Sequence, residues 1–342
     1  MSLTYLISLP SYYLPLKMLE LKEAPTLYQE IQHLKKEKNA VILAHYYMPP
    51  ELQLIADKGG VADFIGDSLG LSVEATKVKE QNIIFCGVRF MAETAKILSP
   101  EKNVFIPDND AGCSLASSIT AQDVKNLKQK YPGVPVIAYV NTYATTKAEC
   151  DICCTSRNAL NIARSFDSDT LIFIPDVHMG RNLQKKITAE TGKKLILWNG
   201  VCEVHEQFSE MSMKAFKEIY PNAEFLLHWE VPQEAVSASL DERKGVLGST
   251  NDILKYVGES KSKQFILASE CDLGATLKGM YPNKEFITPC IKCPQMKKIN
   301  LENLLQTLES IGTEKASKYE ICLDADTIRR ASVPIKRMLK FV

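Results

Sequence analysis

Short apolar runs alternate with charged, amphipathic segments along this chain of 342 residues. Three of the runs, AVILAHYY, VPVIAYVNT and AEFLLHWE, are continuous apolar stretches that end in polar or aromatic residues. Such runs are typical of parallel strands that helices cover on both faces. After each run the pattern predicts a short strand or turn leading into a helix, then a second strand, a charged helix and a third strand. A first helix is predicted over residues 25–38.

The same succession of elements occurs three times. It predicts an α/β fold of three pseudo-threefold-related αβα units, whose short parallel sheets surround a central cavity. We assign unit one to residues 25–115, completed by the C-terminal segment 294–342, unit two to residues 116–204 and unit three to residues 205–293. Residues 1–24 are interpreted as an irregular N-terminal extension, because Pro10 and Pro15 interrupt its apolar sequence, and Met18 is an alternative start.

Polar and aromatic residues recur at the carboxyl ends of the first strands. His45, Tyr139 and His228 are 94 and 89 residues apart (139−45 and 228−139). In parallel α/β sheets, ligands collect beyond the carboxyl ends of the strands. We therefore predict a substrate cavity at this edge of the three sheets. The candidate residues there are His45, Tyr47, Tyr139, Asn141, His228 and Glu230.

Hydroxyl groups also recur, at the starts of the helices that follow. The pairs are Asp67-Ser68, Thr155-Ser156 and Ser249-Thr250, and the second members are 88 and 94 residues apart (156−68 and 250−156). Ser and Thr are preferred at helix N-termini, where free backbone amides and the helix dipole favour an anion. Ser68, Ser156 and Thr250 are therefore predicted to bind carboxylate or phosphate groups.

Three cysteines follow the third strands at nearly equal intervals. Cys113, Cys202 and Cys293 are 89 and 91 residues apart (202−113 and 293−202). Three related units around one axis bring three thiolates to a common centre. Three thiolates are one ligand short of a saturated tetrahedral metal site, which leaves one position open to a substrate.

The remaining cysteines have no counterparts in the other units. Six are interpreted as small buried apolar residues: Cys86, Cys150, Cys153, Cys154, Cys271 and Cys322. Cys290 forms a CxxC motif with Cys293, and this motif is compatible with a zinc site or a redox disulfide. A closed tetrahedral zinc site would also require Cys113 and Cys202, and it would leave no open position.

Composition narrows the function classes. The chain is 45% hydrophobic and 24% charged, as expected for a soluble globular protein, and its 41 basic and 41 acidic residues give zero net charge. No charge run indicates a nucleic-acid or membrane partner. The apolar start lacks the basic residues of a signal peptide and the length of a membrane span. Ten cysteines without close, even spacing favour the reducing cytoplasm, with metal or catalytic roles for some of them.

Several long motifs resemble the quinolinate synthase (NadA) family of NAD biosynthesis: HYYMPPELQLIAD, DFIGDSLGLS, GVRFMAETAKILSPEKNVFIPDNDAGCSLA, YVNTYATTKAECDICCTSRNA, WNGVCEVHEQF, GSTNDILKYV and CPQMKKINLENLLQTLE. The resemblance extends from about residue 41 to about residue 308. It implies three αβα domains around one cavity, with a [4Fe-4S] cluster on Cys113, Cys202 and Cys293. The fourth iron of that cluster lacks a protein ligand.

The resemblance also implies a reaction. Iminoaspartate condenses with dihydroxyacetone phosphate to give quinolinate, with loss of phosphate and two water molecules, and the open iron acts as a Lewis acid. The implied roles are proton transfer and carboxylate binding for His45 and His228, base catalysis for Glu230, and hydrogen bonding to substrate for Tyr47, Tyr139 and Asn141. We also expect transient contact with the aspartate-oxidising enzyme and with the iron–sulfur assembly machinery.

The family pattern is broken at two positions. Trp229 replaces the proline that usually separates His228 from Glu230, and Arg157 replaces a small residue after Ser156. Lys147 and Glu93 are interpreted as structural hydrogen-bonding residues, and His205 is predicted to border the cavity.

The alternative function is an iron–sulfur sensor or electron-transfer module without a substrate. Such a module does not require hydroxyls, histidines and a glutamate repeated at one edge of the sheets.

Overall fold

The computed structural model describes residues 24–53, 60–240 and 244–341 of the chain. Within these residues, twelve strands form three sheets of four. The strands are β1 (Ala40–His45), β2 (Phe64–Gly66), β3 (Asn82–Cys86) and β4 (Asn103–Phe105) in unit one; β5 (Val136–Tyr139), β6 (Ile152–Cys154), β7 (Thr170–Ile174) and β8 (Lys194–Leu197) in unit two; and β9 (Glu224–His228), β10 (Gly245–Gly248), β11 (Gln264–Ala268) and β12 (Glu285–Ile287) in unit three.

Fourteen α-helices in the described ranges connect and cover these strands. They are α1 (Ala24–Glu37), α2 (Ser68–Ala75), α3 (Arg89–Leu98), α4 (Ser114–Ser117), α5 (Ala121–Lys130), α6 (Ala144–Lys147), α7 (Ala159–Arg164), α8 (Val177–Thr191), α9 (Glu210–Ile219), α10 (Gln233–Leu240), α11 (Thr250–Glu259), α12 (Cys271–Met280), α13 (Leu301–Ser310) and α14 (Ala325–Met338). In these ranges, no helix combines the length and the apolar character that crossing a bilayer requires.

All three sheets share one parallel topology. Their strand orders are β2-β1-β3-β4, β6-β5-β7-β8 and β10-β9-β11-β12. The ends of the first two strands are level in every unit: His45 pairs with Gly66, Tyr139 with Cys154 and His228 with Gly248. The equal order and register confirm the predicted α/β fold with three repeated αβα units.

The core explains why the strand sequences are continuously apolar. All six residues of β1 and all four of β5 are buried, because helices cover both faces of these sheets. In unit three, Phe225 and Leu227 of β9 pack in one apolar cluster, and Leu226 between them packs in another. Units one and two share a larger core with the C-terminal segment. Unit three therefore has its own two apolar layers.

The C-terminal segment packs on units one and two. Helix α13 lies against α1, and Glu320 forms an antiparallel bridge to Phe105 beside β4. Helix α14 packs on α3, α6 and β6, and its Arg330 forms an ion pair with Glu149 at 2.7 Å. The exact limits of the three units remain predictions.

Local boundaries differ slightly from the sequence prediction. Helix α1 spans Ala24–Glu37 rather than 25–38, and the predicted extension, except for Ala24, lies outside the described residues. The strands predicted as third in each unit are its fourth strands, β4, β8 and β12, and they end at Phe105, Leu197 and Ile287, several residues before the cysteines. The cysteines therefore follow these strands, as predicted, but at a distance of several residues. The thiols lie in the turns beyond the strands, where the chain has left the sheet and reaches the cavity.

Candidate active site

One cavity lies at the carboxyl ends of the three central strands β1, β5 and β9. Residues from all three units line it. All twelve residues predicted for the site are among them: His45, Tyr47, Ser68, Cys113, Tyr139, Asn141, Ser156, Cys202, His228, Glu230, Thr250 and Cys293. The repeat therefore brings the predicted residues together, as expected for the carboxyl edge of parallel sheets.

A two-pronged hydrogen bond fixes the loop that follows each central strand. For each of the three loops, one side chain donates to two backbone carbonyls that are two residues apart; the donor for the unit-three loop comes from unit two. The donors and acceptors are Gln53 to Tyr46 and Met48 (2.9 and 2.6 Å), Lys147 to Val140 (2.8 Å) and Thr142, and Asn182 to Trp229 and Val231 (2.9 and 2.8 Å). We call Gln53, Lys147 and Asn182 the loop clamps. The clamp role accounts for the complete burial of Lys147 and agrees with its structural interpretation.

The two cavity histidines have the same local geometry. The Nδ1 atom of His45 accepts a hydrogen bond from the amide of Tyr47 (3.2 Å), and Nδ1 of His228 accepts one from the amide of Glu230 (3.4 Å). These bonds assign the proton of each neutral ring to Nε2. Burial lowers the pKa of both histidines to about 3. Both rings are therefore uncharged at neutral pH, because the cavity excludes the water that would solvate their charged forms.

Glu230 is the centre of a buried polar network. Its Oε2 lies 2.5 Å from Nδ1 of His205, and its Oε1 accepts a hydrogen bond from Asn141 at 3.4 Å. Tyr139 also hydrogen-bonds to it. Burial alone would raise the pKa of Glu230, but the neighbouring histidines and these hydrogen bonds lower it below its usual range. Glu230 is therefore ionised at neutral pH.

His205 belongs to the site more closely than the sequence indicated. It is buried, its ring stacks on His228 with 4.6 Å between centroids, and its Nε2 lies 3.4 Å from the hydroxyl of Ser269. The prediction that it borders the cavity is confirmed by its position in the cavity wall. Its contacts make it the group that orients Glu230.

The two cavity tyrosines remain protonated at neutral pH. Burial raises the pKa of Tyr47 and of Tyr139 far above the usual value of 10.0. The hydroxyl of Tyr47 lies 3.2 Å from that of Thr250 and 3.0 Å from that of Ser269. Both phenols are thus positioned as hydrogen-bond donors or acceptors rather than as anions.

The hydroxyl groups have a different relation to the helix ends from the one predicted. The side chains that cap α2 and α11 are Asp67 and Ser249, so Ser68 and Thr250 are the first helical residues. Ser156 precedes the start of α7 by three residues, because the backbone turns through Asn158 before the helix begins. The placement of Ser156 at a helix N-terminus is therefore wrong. All three hydroxyl residues still line the cavity.

The three cavity cysteines share a second geometric feature. Each thiol interacts with backbone amides two or three residues further along the chain: Cys113 with Leu115 and Ala116, Cys202 with His205, and Cys293 with Gln295 and Met296. Burial raises the pKa of all three thiols, to about 12 for Cys113, and the amides oppose this effect. Amides directed at sulfur are the interactions that stabilise thiolate ligands and tune iron–sulfur clusters.

The donor set fits a three-cysteine cluster. Three free thiols line one cavity, and charge on one is felt by another, from Cys293 to Cys113 and from Cys113 to Cys202. A second group of possible ligands is Cys202, His205 and Glu230, whose donor atoms lie within 4.8 Å of one another. However, His205 and Glu230 are 2.5 Å apart, which is a hydrogen-bond distance. Two ligands of one tetrahedral zinc ion lie about 3.3 Å apart.

The other cysteines depart from the prediction in two places. Cys271 and Cys290 form a disulfide across 4.5 Å between their Cα atoms, so Cys271 is not a lone apolar residue and Cys290 does not pair with Cys293. Helix α12 begins at Cys271, directly beside the turn that contains Cys290. Cys322 is exposed rather than buried. The prediction of burial is confirmed for Cys86, Cys150, Cys153 and Cys154.

Three functional candidates escaped the sequence analysis: Ser269, Glu270 and Lys297. Ser269 joins the hydroxyl of Tyr47 to His205, and Lys297 donates to the carbonyl of Tyr47 at 2.5 Å and to Glu270 at 2.9 Å. A signal for the first two existed, because Ser269-Glu270 directly follow β11, the third strand of unit three. Pro175-Asp176 hold the equivalent place in unit two, 94 residues earlier (270−176).

The residues that break the family pattern leave the cavity intact. Trp229 is buried, and Nζ of Lys186 lies 4.6 Å from the centre of its ring. The indole thus packs beside α8 while His228 and Glu230 still face the cavity. Arg157 is exposed. Glu93 accepts a hydrogen bond from the amide of Ala144 (2.8 Å) and one from Arg89 (3.2 Å), a structural contact between units one and two.

Comparison with known proteins agrees with this geometry. Residues 29–340 match the family model NadA, described as quinolinate synthetase A protein. Quinolinate synthase of Caulobacter vibrioides is 44% identical over 321 residues, which cover 93% of this chain and 82% of the relative. Proteins with the same name from Sinorhizobium fredii and Xylella fastidiosa are each 42% identical, over 309 and 311 residues; the alignments cover 90% and 91% of this chain and 80% and 86% of the relatives.

The family match spans nearly the whole chain and includes all three sheets and every residue of the cavity described above. Sequence identity above 40% to several quinolinate synthases, over nine-tenths of the chain, leaves no large segment unaccounted for. The chain therefore belongs to the NadA family of quinolinate synthases, enzymes of NAD biosynthesis.

Proposed function

We propose that this enzyme condenses iminoaspartate with dihydroxyacetone phosphate to form quinolinate, releasing phosphate and two water molecules. The observation that carries the proposal is the meeting of three amide-contacted thiols with polar groups from all three units in one cavity. Cys113, Cys202 and Cys293 would hold a [4Fe-4S] cluster. When bound, the cluster would supply an open iron that acts as a Lewis acid on a hydroxyl or carboxylate oxygen.

The neutral histidines suit a substrate with several carboxylates. Because Nδ1 of His45 and of His228 is occupied by a backbone amide, each ring presents its Nε2–H group as a donor. A neutral donor binds a carboxylate without the burial of a second charge. Ser68, Ser156 and Thr250 add hydroxyl donors for carboxylate or phosphate oxygens.

Glu230 is the proposed general base. It is ionised, it lies in the cavity wall, and His205 holds its Oε2 at 2.5 Å. It would accept the proton next to the imine, and His205 would stabilise the carboxylate before that step. Tyr47 and Tyr139, which stay protonated, would donate hydrogen bonds to enolate or hydroxyl oxygens as they develop.

Burial of these groups supports a reaction through a water-sensitive intermediate. His45, Tyr139, His205, His228 and Glu230 are all buried. An imine hydrolyses readily in water, so a cavity that excludes water favours condensation over hydrolysis.

The proposed location is the reducing cytoplasm, which the cysteine composition indicates. Transient contacts with the aspartate-oxidising enzyme and with the cluster-assembly machinery are also part of the proposal.

The test is iron content and quinolinate formation in protein purified without oxygen. We expect about four irons per chain, as in a [4Fe-4S] cluster. Replacement of Cys113, Cys202 or Cys293 by Ser should remove both the cluster and the activity. Cys322→Ser is the matched control, because this thiol is free and exposed, and it should leave both unchanged.

Fully active protein without iron would contradict the proposal. So would loss of the cluster in Cys290→Ser with retention of the cluster in Cys293→Ser. That result would show that Cys290, and not Cys293, is the third ligand. A substrate-free sensor or electron-transfer module is excluded if quinolinate perturbs the cluster spectrum. If Glu230, rather than the cluster, controls the binding of quinolinate, Glu230→Gln should abolish this change in the cluster spectrum.

A further inference from the structure

The turns that contain the three cysteines are attached to the protein in the same way. In each unit, the amide of the first residue of the helix after the third strand (β3, β7 or β11) donates to the carbonyl two residues before the cysteine. The pairs are Arg89 to Ala111 (2.8 Å), Val177 to Gly200 (2.8 Å) and Cys271 to Ile291 (3.0 Å). This attachment therefore belongs to the repeated backbone.

The residue before each amide donor differs between the units. It is Val88 in unit one, Asp176 in unit two and Glu270 in unit three. Asp176 and Glu270 are completely buried, and both cap a helix: Asp176 accepts from the amide of Met179 (2.6 Å) and Glu270 from that of Asp272 (2.8 Å). Two of the three units thus place a buried carboxylate beside the cysteine turn.

Glu270 also meets the backbone of its cysteine. Oε1 of Glu270 accepts a hydrogen bond from the amide of Cys293 at 3.2 Å. Asp176 lacks the equivalent contact: its Oδ1 accepts from the amide of Met179, and its Oδ2 has no hydrogen-bond partner among the described residues. Unit one has no such contact, because the cap position is occupied by Val88, whose side chain forms no hydrogen bond.

Lys297 extends the contact of Glu270 to the substrate side of the cavity. Its ammonium group lies 2.9 Å from Oε1 of Glu270 and 2.5 Å from Oδ2 of Asp272, and it donates to the carbonyl of Tyr47. The amide of Lys297 donates to the carbonyl of Cys293 at 3.2 Å. One buried ion pair therefore joins the third cysteine to the loop that carries Tyr47.

We propose that Glu270 is a positioning residue, which holds Cys293 in place for the cluster and, through Lys297, holds Tyr47 in place for the substrate. This inference rests on the proposed function, because it assumes that Cys293 is a cluster ligand. It acts through the backbone of Cys293 and requires no contact between Glu270 and the reacting atoms.

The first experiment measures how fast a chelator removes iron from the oxygen-free holoenzyme, followed by the loss of visible absorption. Glu270→Gln keeps the size of the side chain but loses the charge that pairs with Lys297. We expect iron release about tenfold faster than in the unsubstituted enzyme, which corresponds to about 1.4 kcal/mol. Glu149→Gln is the matched control, because it removes a partly buried carboxylate paired with Arg330, and its release rate should be unchanged.

The Cys271–Cys290 disulfide provides a second comparison. It joins the start of α12 to the same turn, and the hydrogen bond from the Cys293 amide to Glu270 does not involve its sulfurs. If the double substitution Cys271→Ser and Cys290→Ser accelerates iron release while Glu270→Gln does not, the disulfide positions Cys293 and the proposal is overturned. An unloaded unsubstituted enzyme would instead contradict the proposed function itself.

A thiol-labelling experiment tests the inference without the cluster. In iron-free protein, Glu270→Gln should increase the alkylation rate of Cys293 about tenfold relative to Cys113 in the same molecule, because only the third turn is released. If the alkylation rates of Cys293 and Cys113 rise equally, the substitution loosens the protein as a whole, and the proposal is overturned.

If Glu270→Gln does not fold, Lys297→Gln tests the link to Tyr47. Quinolinate should then bind about tenfold more weakly at unchanged iron content. An unchanged affinity for quinolinate would overturn the proposed link.

Discussion

The unit-one and unit-three edges of the cavity have the same backbone and different chemistry. His45-Tyr46-Tyr47 and His228-Trp229-Glu230 follow equivalent strands, and both histidines accept an amide hydrogen bond from the residue two positions later. The third residue is an uncharged phenol in one unit and a carboxylate in the other. The repeat thus provides the scaffold, and the residue that differs between the repeats provides the chemistry.

The surroundings of the third residue match its charge. Tyr47 lies among the hydroxyls of Thr250 and Ser269, which exchange hydrogen bonds with a neutral phenol. Glu230 has His205 at 2.5 Å and the amide group of Asn141 at 3.4 Å, both suited to an anion. A buried carboxylate without such partners would become protonated and lose its value as a base.

The largest expected effect separates these two residues directly. Glu230→Gln should lower kcat about a thousandfold, because the amide cannot accept the substrate proton. Tyr47→Phe should lower it about tenfold, because it removes one hydrogen bond of a phenol that does not ionise. Steady-state rates of quinolinate formation, measured at equal iron content, provide the comparison. Similar losses of kcat in the two variants would mean that neither Glu230 nor Tyr47 alone acts as the base.

The loop clamps allow a second comparison between the same edges. Asn182→Ala leaves the carbonyls of Trp229 and Val231 without their donor, and Gln53→Ala does the same to Tyr46 and Met48. Each substitution should lower the free energy of unfolding by about 2 kcal/mol. Chemical denaturation measures this change.

The two clamp variants should nevertheless differ in activity. Asn182→Ala releases the loop that positions Glu230, so its kcat should fall more than that of Gln53→Ala. Both values of kcat are measured at equal iron content. A greater loss of kcat in Gln53→Ala than in Asn182→Ala would show that the rate-limiting step depends on the unit-one edge. Thermal unfolding of both variants is the control for equal stability loss.

Acid should destabilise both edges equally. The pKa of His45 and of His228 is about 3 in the folded protein and 6.5 in an unfolded chain. Between these values the unfolded state binds more protons, so the free energy of unfolding falls as the pH falls, by about 1.4 kcal/mol per pH unit for each histidine. Ionised Glu230 acts in the same direction, but only below its unfolded pKa of 4.5.

The histidine contribution is therefore measured between about pH 5 and pH 6.5. In this range, His45→Gln and His228→Gln should each reduce the pH dependence of the unfolding free energy by about 1 kcal/mol per pH unit. Denaturant titrations at several pH values give this slope. A reduction in only one variant would show that the two equivalent rings are not equally excluded from water.

The sequence predicts the scaffold because its signals are local. Apolar runs such as AVILAHYY define the central strands, and the polar residues at their ends repeat at nearly equal intervals. The contacts that tune the site are not local. Lys297 reaches the carbonyl of Tyr47 across 250 residues, and Asn182 reaches Trp229 across 47. Isolated polar residues in amphipathic helices look like ordinary surface positions until the fold brings their partners to them.

The histidine pKa values and the disulfide illustrate the same limit. Nothing near His45 in the sequence indicates that units two and three complete its enclosure, so the residue type alone indicates only the ordinary pKa of a histidine. Cys271 and Cys290 are 19 residues apart, on a helix and a turn whose approach depends on the whole third unit. Burial and long-range pairing are therefore properties of the assembled fold, and residue types alone do not determine them.

The smallest expected effect concerns Trp229, which stands between His228 and Glu230 in place of the usual proline. Trp229 gains a contact with Lys186, whose ammonium group lies 4.6 Å from the ring centre at an exposed position. Lys186→Met keeps a long apolar side chain and removes the charge, so it should lower the free energy of unfolding by about 0.5–1 kcal/mol. Lys185→Met, at the neighbouring exposed position of the same helix, is the control and should have little effect. Because Asn182 still clamps the loop, kcat should stay unchanged in both variants. A fall in kcat with Lys186→Met alone would mean that the indole itself, rather than the clamp, positions Glu230.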